Sequence, residues 1–324
     1  MDSFTGRRAV VTGGGSGMGR ELVVALAAEG CSVATCDVSD AGLRETQALA
    51  EEGAPDGTLV TIHRCDVSDE SQVIAFRDEV AARHGEALDL LFNNAGIGGG
   101  ASFVNDSREE WERTFAVDFW GVYFCSRAFL PMLIAAEDAY LVNTSSVNGF
   151  WAALGPGIPH TAYSTAKFAV KGFSESLIED LRVNAPHVKV AVVMPGHIGT
   201  DIVANSRRYL GRPEPDAMTE ADLEEAREQF VRRGLPLGDA PTDQVRGMLK
   251  TVEEMFRTTA PLSAAGAATV ILDGVRAGKW RILVGEDAER LDARVRSDPE
   301  TAYDHSTINL SSLGLDRRDA PSDS

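Results

Sequence analysis

Residues 9–29 run from a short apolar stretch, Ala9-Val10-Val11, through Thr12-Gly13-Gly14-Gly15-Ser16-Gly17-Met18-Gly19 into Glu21–Glu29, where Leu22, Ala25, Leu26 and Ala28 recur at helical spacing. No other segment restricts the fold as much. A buried strand that ends on glycines and passes directly into a helix opens a β/α unit. The same alternation continues, with strands expected near Ser32–Cys36, Leu59–Arg64, Leu88–Phe92, Tyr140–Thr144 and Val188–Met194. Helices are expected near Ala41–Glu51, Glu70–His84, Glu109–Ala136 and Tyr163–Val183. Parallel neighbours need crossover connections, so this order predicts an α/β fold: a doubly wound parallel sheet with helices on both faces.

The pattern changes after Thr200. A charged, proline-punctuated stretch that includes Tyr209, Pro213, Pro215, Phe230 and Pro236 runs to Pro261, and so long an excursion reads as a lid over a substrate site. Ala264–Ala277 and Trp280–Val284 then supply one more helix and one more strand. The expected organisation is a single domain over residues 1–297, with the lid at 200–261 inside it and a polar tail at 298–324.

The net charge of −18 disfavours nucleic acid and anionic membranes as partners, because polyanions repel an acidic surface. Cys31, Cys36, Cys65 and Cys125 have no Cys-x-x-Cys spacing and are expected to be reduced and buried; no metal site is expected. With no signal peptide or membrane span legible, the cytoplasm is the expected location.

Glycines at the first strand–helix turn let the backbone approach a pyrophosphate, and the helix N-terminus offers N–H donors and partial positive charge. Gly13, Ser16, Gly17, Met18 and Gly19 are therefore the expected phosphate-binding turn of a dinucleotide site. Asp37 closes the second strand, where a carboxylate accepts hydrogen bonds from ribose hydroxyls and repels a 2′-phosphate, which favours NAD. Neither Ser16 nor Val38 supplies a cation for such a phosphate; capping of the helix near Ser39 is the other reading of Asp37.

Tyr163 and Lys167 stand four residues apart and share a helix face. A lysine ammonium beside a phenol favours the phenolate, so the pair is expected to lower the tyrosine pKa and create a proton-transfer group. Together these residues resemble the short-chain dehydrogenase/reductase family, in its branch with a Thr-Gly-x-x-x-Gly-x-Gly turn and a Tyr-x-x-x-Lys pair. The resemblance spans about residues 5–200. It implies adenine contacts at Asp66 and Val67, a cofactor-binding strand end at Asn93, Asn94, Ala95 and Gly96, and a Pro195-Gly196-His197-Ile198-Gly199-Thr200 segment in which Ile198 and Thr200 face the nicotinamide carboxamide.

By the same resemblance Ser146, rather than Ser145, holds the substrate oxygen, Tyr163 transfers the proton, and Lys167 binds the ribose and depresses the tyrosine pKa. Asp118 replaces the family's catalytic asparagine. The asparagine acts largely through its main-chain carbonyl, so aspartate is expected to keep the relay while its charge raises the pKa of Lys167 or reorganises the water.

The activity this implies is NAD-dependent interconversion of a secondary alcohol and a ketone, in dimers or tetramers built on the two long central helices. An NADPH-dependent carbonyl reductase and a non-catalytic NAD-binding redox sensor are the competing readings. Phe150, Trp151, Leu154 and Ile158, with Pro156 and Pro159, are candidates to line an apolar substrate pocket or to pack as core. Gly98-Gly99-Gly100-Ala101 is expected to leave space on another wall, and His160 and His197 flank the site.

Overall fold

The computed structural model describes residues 1–100, 102–154, 159–232 and 237–304. Ala101, Pro156, Ile158, Pro236 and residues 305–324 lie outside them. Six strands, β1 (Arg8–Thr12), β2 (Ser32–Asp37), β3 (Val60–Arg64), β4 (Leu90–Asn93), β5 (Ala139–Thr144) and β6 (Val188–Pro195), fall within a residue or two of the expected positions. With β9 (Arg281–Val284) they form one parallel sheet in the order β3-β2-β1-β4-β5-β6-β9. A separate two-residue pair, β7 (Ile198–Gly199) with β8 (Leu262–Ser263), closes the base of the segment between them.

Both faces of the sheet are covered. One core gathers Leu22, Val23 and Leu26 of α1 (Gly17–Ala28) and Ile271 and Val275 of α10 (Ala264–Arg276) on Val11, Phe92, Val142 and Val193. The other sets Val73, Phe76 and Val80 of α3 (Glu70–His84) and Phe129 and Leu133 of α5 (Gly121–Ile134) against Val10, Leu91 and Leu141. Alternate strand residues thus serve opposite cores, which is why the strands read as continuous apolar runs. Ser39 and Asp69 cap α2 (Asp40–Gly53) and α3 by accepting from first-turn N–H groups.

The expected long helix at 109–136 is interrupted. It comprises α4 (Arg108–Phe115), a π-helical turn at Ala116–Trp120, and α5. A π turn carries one extra residue, and here that residue count brings Asp118 inward, where it is fully buried. By length and composition Arg108–Ile134 could cross a membrane, but its inner side packs in the core of this fold.

The expected lid contains α7 (Ile202–Tyr209), α8 (Glu220–Arg232) and α9 (Thr242–Thr258). The last two share a small core of their own, with Leu223, Phe230, Leu237, Ala240 and Val245 buried together. After β9, α11 (Glu286–Ser297) was not legible in the sequence pattern because its apolar face is only Ala288, Leu291 and Val295. Nor does the polar stretch from Asp298 stand apart at its start: Ala302 is buried with Trp151 and Leu291. The Trp151 Nε1–H donates to the Ala302 carbonyl at 2.7 Å, and the Ala152 N–H to the Tyr303 hydroxyl at 3.0 Å.

Deleting residues 298–324 is expected to shift tryptophan emission to longer wavelength, with the shift abolished in a Trp151→Phe background. An unchanged spectrum on deletion would show that these C-terminal contacts do not keep Trp151 from water.

Candidate active site

The strand order turns back between β1 and β4, so their connections leave on opposite faces and a crevice opens at the carboxyl ends of the strands. Into it come the glycine turn after β1, Asp37 and Val38 after β2, Cys65, Asp66 and Val67 after β3, and Asn94, Ala95, Gly96 and Ile97 after β4. Thr200 and α7 form the facing wall. Gly13 and Gly17 have φ of +71° and +54°, which a side chain would strain. A Cβ on Gly13 would also lie 2.7 Å from the Ala95 Cα. Ser16 precedes α1 without capping it through its side chain, which leaves the first-turn N–H groups to the crevice. This cradle fits the pyrophosphate of a dinucleotide.

Asp37 braces the turn and faces the crevice. Its Oδ2 accepts from the Gly15 N–H at 3.0 Å and its Oδ1 from the Ser39 N–H at 2.9 Å, while Ser39 itself caps α2. Gly19 packs against the turn, where a Cβ would collide with the Gly13 carbonyl. Met18 lines the crevice and touches the core.

The side chains of two expected cofactor residues are engaged elsewhere. The Asn93 side chain is buried and points away from the crevice: its Nδ2 donates to Ser126 Oγ at 2.9 Å and Asn143 Oδ1 at 2.8 Å, tying β4 to β5 and α5. The Ile198 side chain is buried in the core, which leaves only its main chain to face a ligand. Pro195 pairs with Val284 at the end of β6, and Gly196 is required by Asp287 of α11, because a Cβ would overlap that carboxylate. Asp287 accepts from the His197 N–H at 2.7 Å and so fixes this loop, a part that sequence reasoning missed since no motif marks it. His197 is structural: its ring lies on Phe256 and its Nε2 bonds the Phe256 carbonyl at 2.7 Å.

The four proposed catalytic residues come together beside the crevice. Ser146 follows β5, and Tyr163 and Lys167 lie on the first turns of α6 (Thr161–Asn184). Ser146 is near enough to the Tyr163 phenol to favour its charged form, and the Lys167 Nζ lies 5.3 Å from the Tyr163 ring centre. Lys167 is only 3% exposed; its Nζ donates to the Thr144 carbonyl at 3.3 Å and pairs with Asp118 Oδ1 at 3.3 Å. Asp118 Oδ1 also accepts from the Ile97 N–H at 3.0 Å, and its Oδ2 is buried with no hydrogen-bond partner. Gly96 makes room for the pair, since a Cβ there would stand 2.7 Å from Asp118 Oδ1.

The electrostatics reverse one expectation. Burial raises the Tyr163 pKa; Lys167 and Ser146 pull it down, Asp118 pushes it further up, and the net shift is upward. Lys167 therefore does not by itself make Tyr163 acidic, because burial outweighs its field and Asp118 opposes it. Burial also lifts Asp118 to about 6, against the pull of Lys167 and the Ile97 N–H. For Lys167, burial favours the neutral form, but Asp118 and Tyr163 outweigh it and the pKa rises.

On the substrate side, the His160 and Tyr163 rings stack at 4.5 Å. Trp151 belongs to the C-terminal cluster rather than to an open wall, and Phe150 packs beside it under the Arg281 guanidinium; Leu154 is exposed. The glycines after β4 are also not open space. Gly99 admits Thr114, whose Oγ1 would be 2.6 Å from a Cβ, and Gly100 receives the Ala162 N–H at 3.0 Å on its carbonyl.

Comparison with known proteins agrees with this geometry. The model of the short chain dehydrogenase family matches residues 7–210. The chain is 36% identical over 297 residues to the "Putative oxidoreductase SadH" of Mycobacterium tuberculosis, covering 91% of this chain and 92% of that protein. A short chain dehydrogenase/reductase from Burkholderia phymatum, solved in complex with NAD, superposes with a TM-score of 0.74 at 28% identity, over 95% of this chain and 99% of that one. A metagenomic short-chain oxidoreductase in complex with NADP gives a TM-score of 0.53 at 32% identity, over 60% and 83%. From the glycine turn through the Tyr163/Lys167 helix, sequence, fold and relatives coincide, and the chain belongs to the short-chain dehydrogenase/reductase family of oxidoreductases.

Proposed function

We propose that this protein is an NAD-dependent oxidoreductase that interconverts a secondary alcohol and its ketone. The convergence of Ser146, Tyr163 and Lys167 beside a crevice bordered by Asp37 carries the reading. Gly13, Ser16, Gly17, Met18 and Gly19 would hold the pyrophosphate, Asp37 the adenosine ribose, Asp66 and Val67 the adenine. Ala95, Gly96, Tyr163, Lys167 and the Pro195–Thr200 segment would border the nicotinamide half. The bound nicotinamide supplies the hydride acceptor or donor.

Ser146 then holds the substrate oxygen while Tyr163 removes the alcohol proton in oxidation or returns it in reduction. Lys167 binds ribose and keeps positive charge beside the phenol; Asp118 holds Lys167 in place and moderates its field. The Asp37 carboxylate supports NAD over NADP, since it would meet a 2′-phosphate as a like charge. Arg208 borders the same crevice, but Glu214 at 2.7 Å already engages it. The absence of a concentrated basic pocket among the described residues supports an uncharged substrate, and Ile97 and Ile202 on the crevice wall favour a bulky, apolar one.

An aromatic face on α4, the π turn, α5 and α6 supports a homo-oligomer: Trp120 is 43% exposed and packs on Phe119 and Tyr123, which in turn meet Phe173. Sedimentation is expected to give a dimer or tetramer, and a monomer at micromolar concentration would remove that part.

A screen of secondary alcohols and ketones, read by NADH absorbance and run in parallel with NADP, is expected to find turnover of uncharged bulky substrates with NAD preferred. Tyr163→Phe should lower kcat about 10²–10⁴-fold while NAD still binds. Activity confined to small sugars or acyl thioesters would refute the substrate class, and an undiminished Tyr163→Phe variant the assignment of the acid/base.

Asp118 adds a pH signature. Above about 6 its carboxylate is charged and raises the Tyr163 pKa; below that it is neutral and the effect disappears. In Asp118→Asn the rise of alcohol-oxidation kcat/KM with pH is therefore expected to move to lower pH, and the two profiles should approach one another below about 6. Superimposable profiles across the whole range would show that the charge does not reach the tyrosine.

A further inference from the structure

Helix α7 lies along the crevice rather than only over its substrate end. Ile202, Asn205 and Tyr209 fall at i, i+3 and i+7 on one face, and all three line the crevice opposite the strand ends. They meet it at three points. Ile202 lines it next to Thr200, whose side chain lies against Gly17. The Asn205 Nδ2 donates to Ser16 Oγ in the glycine turn at 2.9 Å. At the far end the Tyr209 hydroxyl donates to Asp66 Oδ2 at 2.9 Å and lies 3.2 Å from Ser68 Oγ.

The far contact is built from several sides. Arg113 of α4 lies over the Tyr209 ring with its guanidinium carbon 5.4 Å from the ring centre, and donates to the main-chain carbonyl of Tyr209 at 2.5 Å and of Leu210 at 3.3 Å. Burial, with the Asp66 charge, holds the Tyr209 pKa at about 12, so its hydroxyl remains a donor at neutral pH. Asp66 Oδ1 takes the Ser68 N–H and hydroxyl at 3.0 and 2.7 Å, which orients the carboxylate. Midway, the Gly98 N–H donates to Ser206 Oγ at 2.7 Å, and Arg207 pairs with Glu253 of α9. Movement of α7 is thereby coupled to the α8–α9 part of the insertion.

We propose that Tyr209 is an adenosine-site residue supplied by the insertion, and that α7 is a clasp closed by the adenosine half of the dinucleotide. This rests on the reading of the crevice as a dinucleotide site. Asp66, Val67, Val38 and Cys65 border the same end of the crevice as Tyr209, so a nucleoside seated there is enclosed between the strand ends and the tyrosine. The nucleoside adds contacts only to the clasped arrangement, and a ligand with such a differential contact shifts the population towards it. Occupancy remote from the reacting carbon then sets the substrate lid before substrate arrives.

The test uses the full chain with NAD, ADP-ribose and nicotinamide mononucleotide as probes, reading affinity by calorimetry and lid closure by tryptic cleavage after Arg207 and Arg208. ADP-ribose is expected to protect these bonds at saturation nearly as well as NAD, and nicotinamide mononucleotide not to. Tyr209→Phe keeps the ring under Arg113 and removes only the hydroxyl. It should weaken ADP-ribose about tenfold and abolish most of the protection. Asn205→Ala, which frees the middle of the helix, should lower protection as well. Unchanged ADP-ribose affinity and protection in Tyr209→Phe would overturn the proposal, as would tighter binding, which would make the tyrosine an obstacle to adenosine. Failure of the unaltered chain to bind NAD or ADP-ribose would instead remove the dinucleotide reading, and the clasp with it.

Discussion

Burying an ammonium group is expensive unless it is paired and hydrogen-bonded, and Lys167 is almost wholly out of water. The elements around it are arranged to meet that demand. The end of β5 gives the Thr144 carbonyl, the strand end after β4 gives Gly96 and with it the necessary room, and the helical segment outside the sheet gives Asp118. Ser145, next to the proposed substrate serine, donates to the Lys167 carbonyl at 2.7 Å and so fixes α6 to β5. Positioning the lysine therefore positions Tyr163, one turn earlier on the same helix, and the β5 extension that carries Ser146.

The identity of the counter-ion changes the character of the site. An amide at position 118 would leave the lysine charge to act on the phenol, whereas the carboxylate neutralises it locally. Its second oxygen has no donor, so the pair is held by one shared oxygen atom and remains sensitive to proton uptake. The π turn makes this possible. It rotates residues 116–120 out of α-helical phase and lets a side chain from a surface helix reach the strand ends.

Much of this was written in local pattern. The strands and the first three helices follow from apolar periodicity, and Gly13 to Gly19 from the tight turn a strand-to-helix passage needs. Long-range contacts were not legible. The π turn sits in Trp111–Phe124, where aromatic residues fall on every side and periodicity cannot register one extra residue. Asn93 stands beside crevice residues in sequence, but strand alternation turns its side chain inward to Asn143. The upward shift of Tyr163 was not legible, because spacing along a helix reports neighbours on that helix and is silent about burial and about Asp118. Asp287 and Tyr209 act across 90 and 143 residues of chain, on His197 and Asp66 respectively, and no local signal marks either.

The small core shared by α8 and α9 separates two kinds of sequence constraint. Leu223, Phe230 and Val245 answer to one another, whereas the residues of the sheet answer to helices on both its faces. The general family model ends at residue 210, just past α7, whereas the likeness to the mycobacterial relative extends over 297 residues. The outer surface of the α8–α9 hairpin can therefore change without disturbing the sheet, so long as its own packing survives and α7 still reaches the crevice.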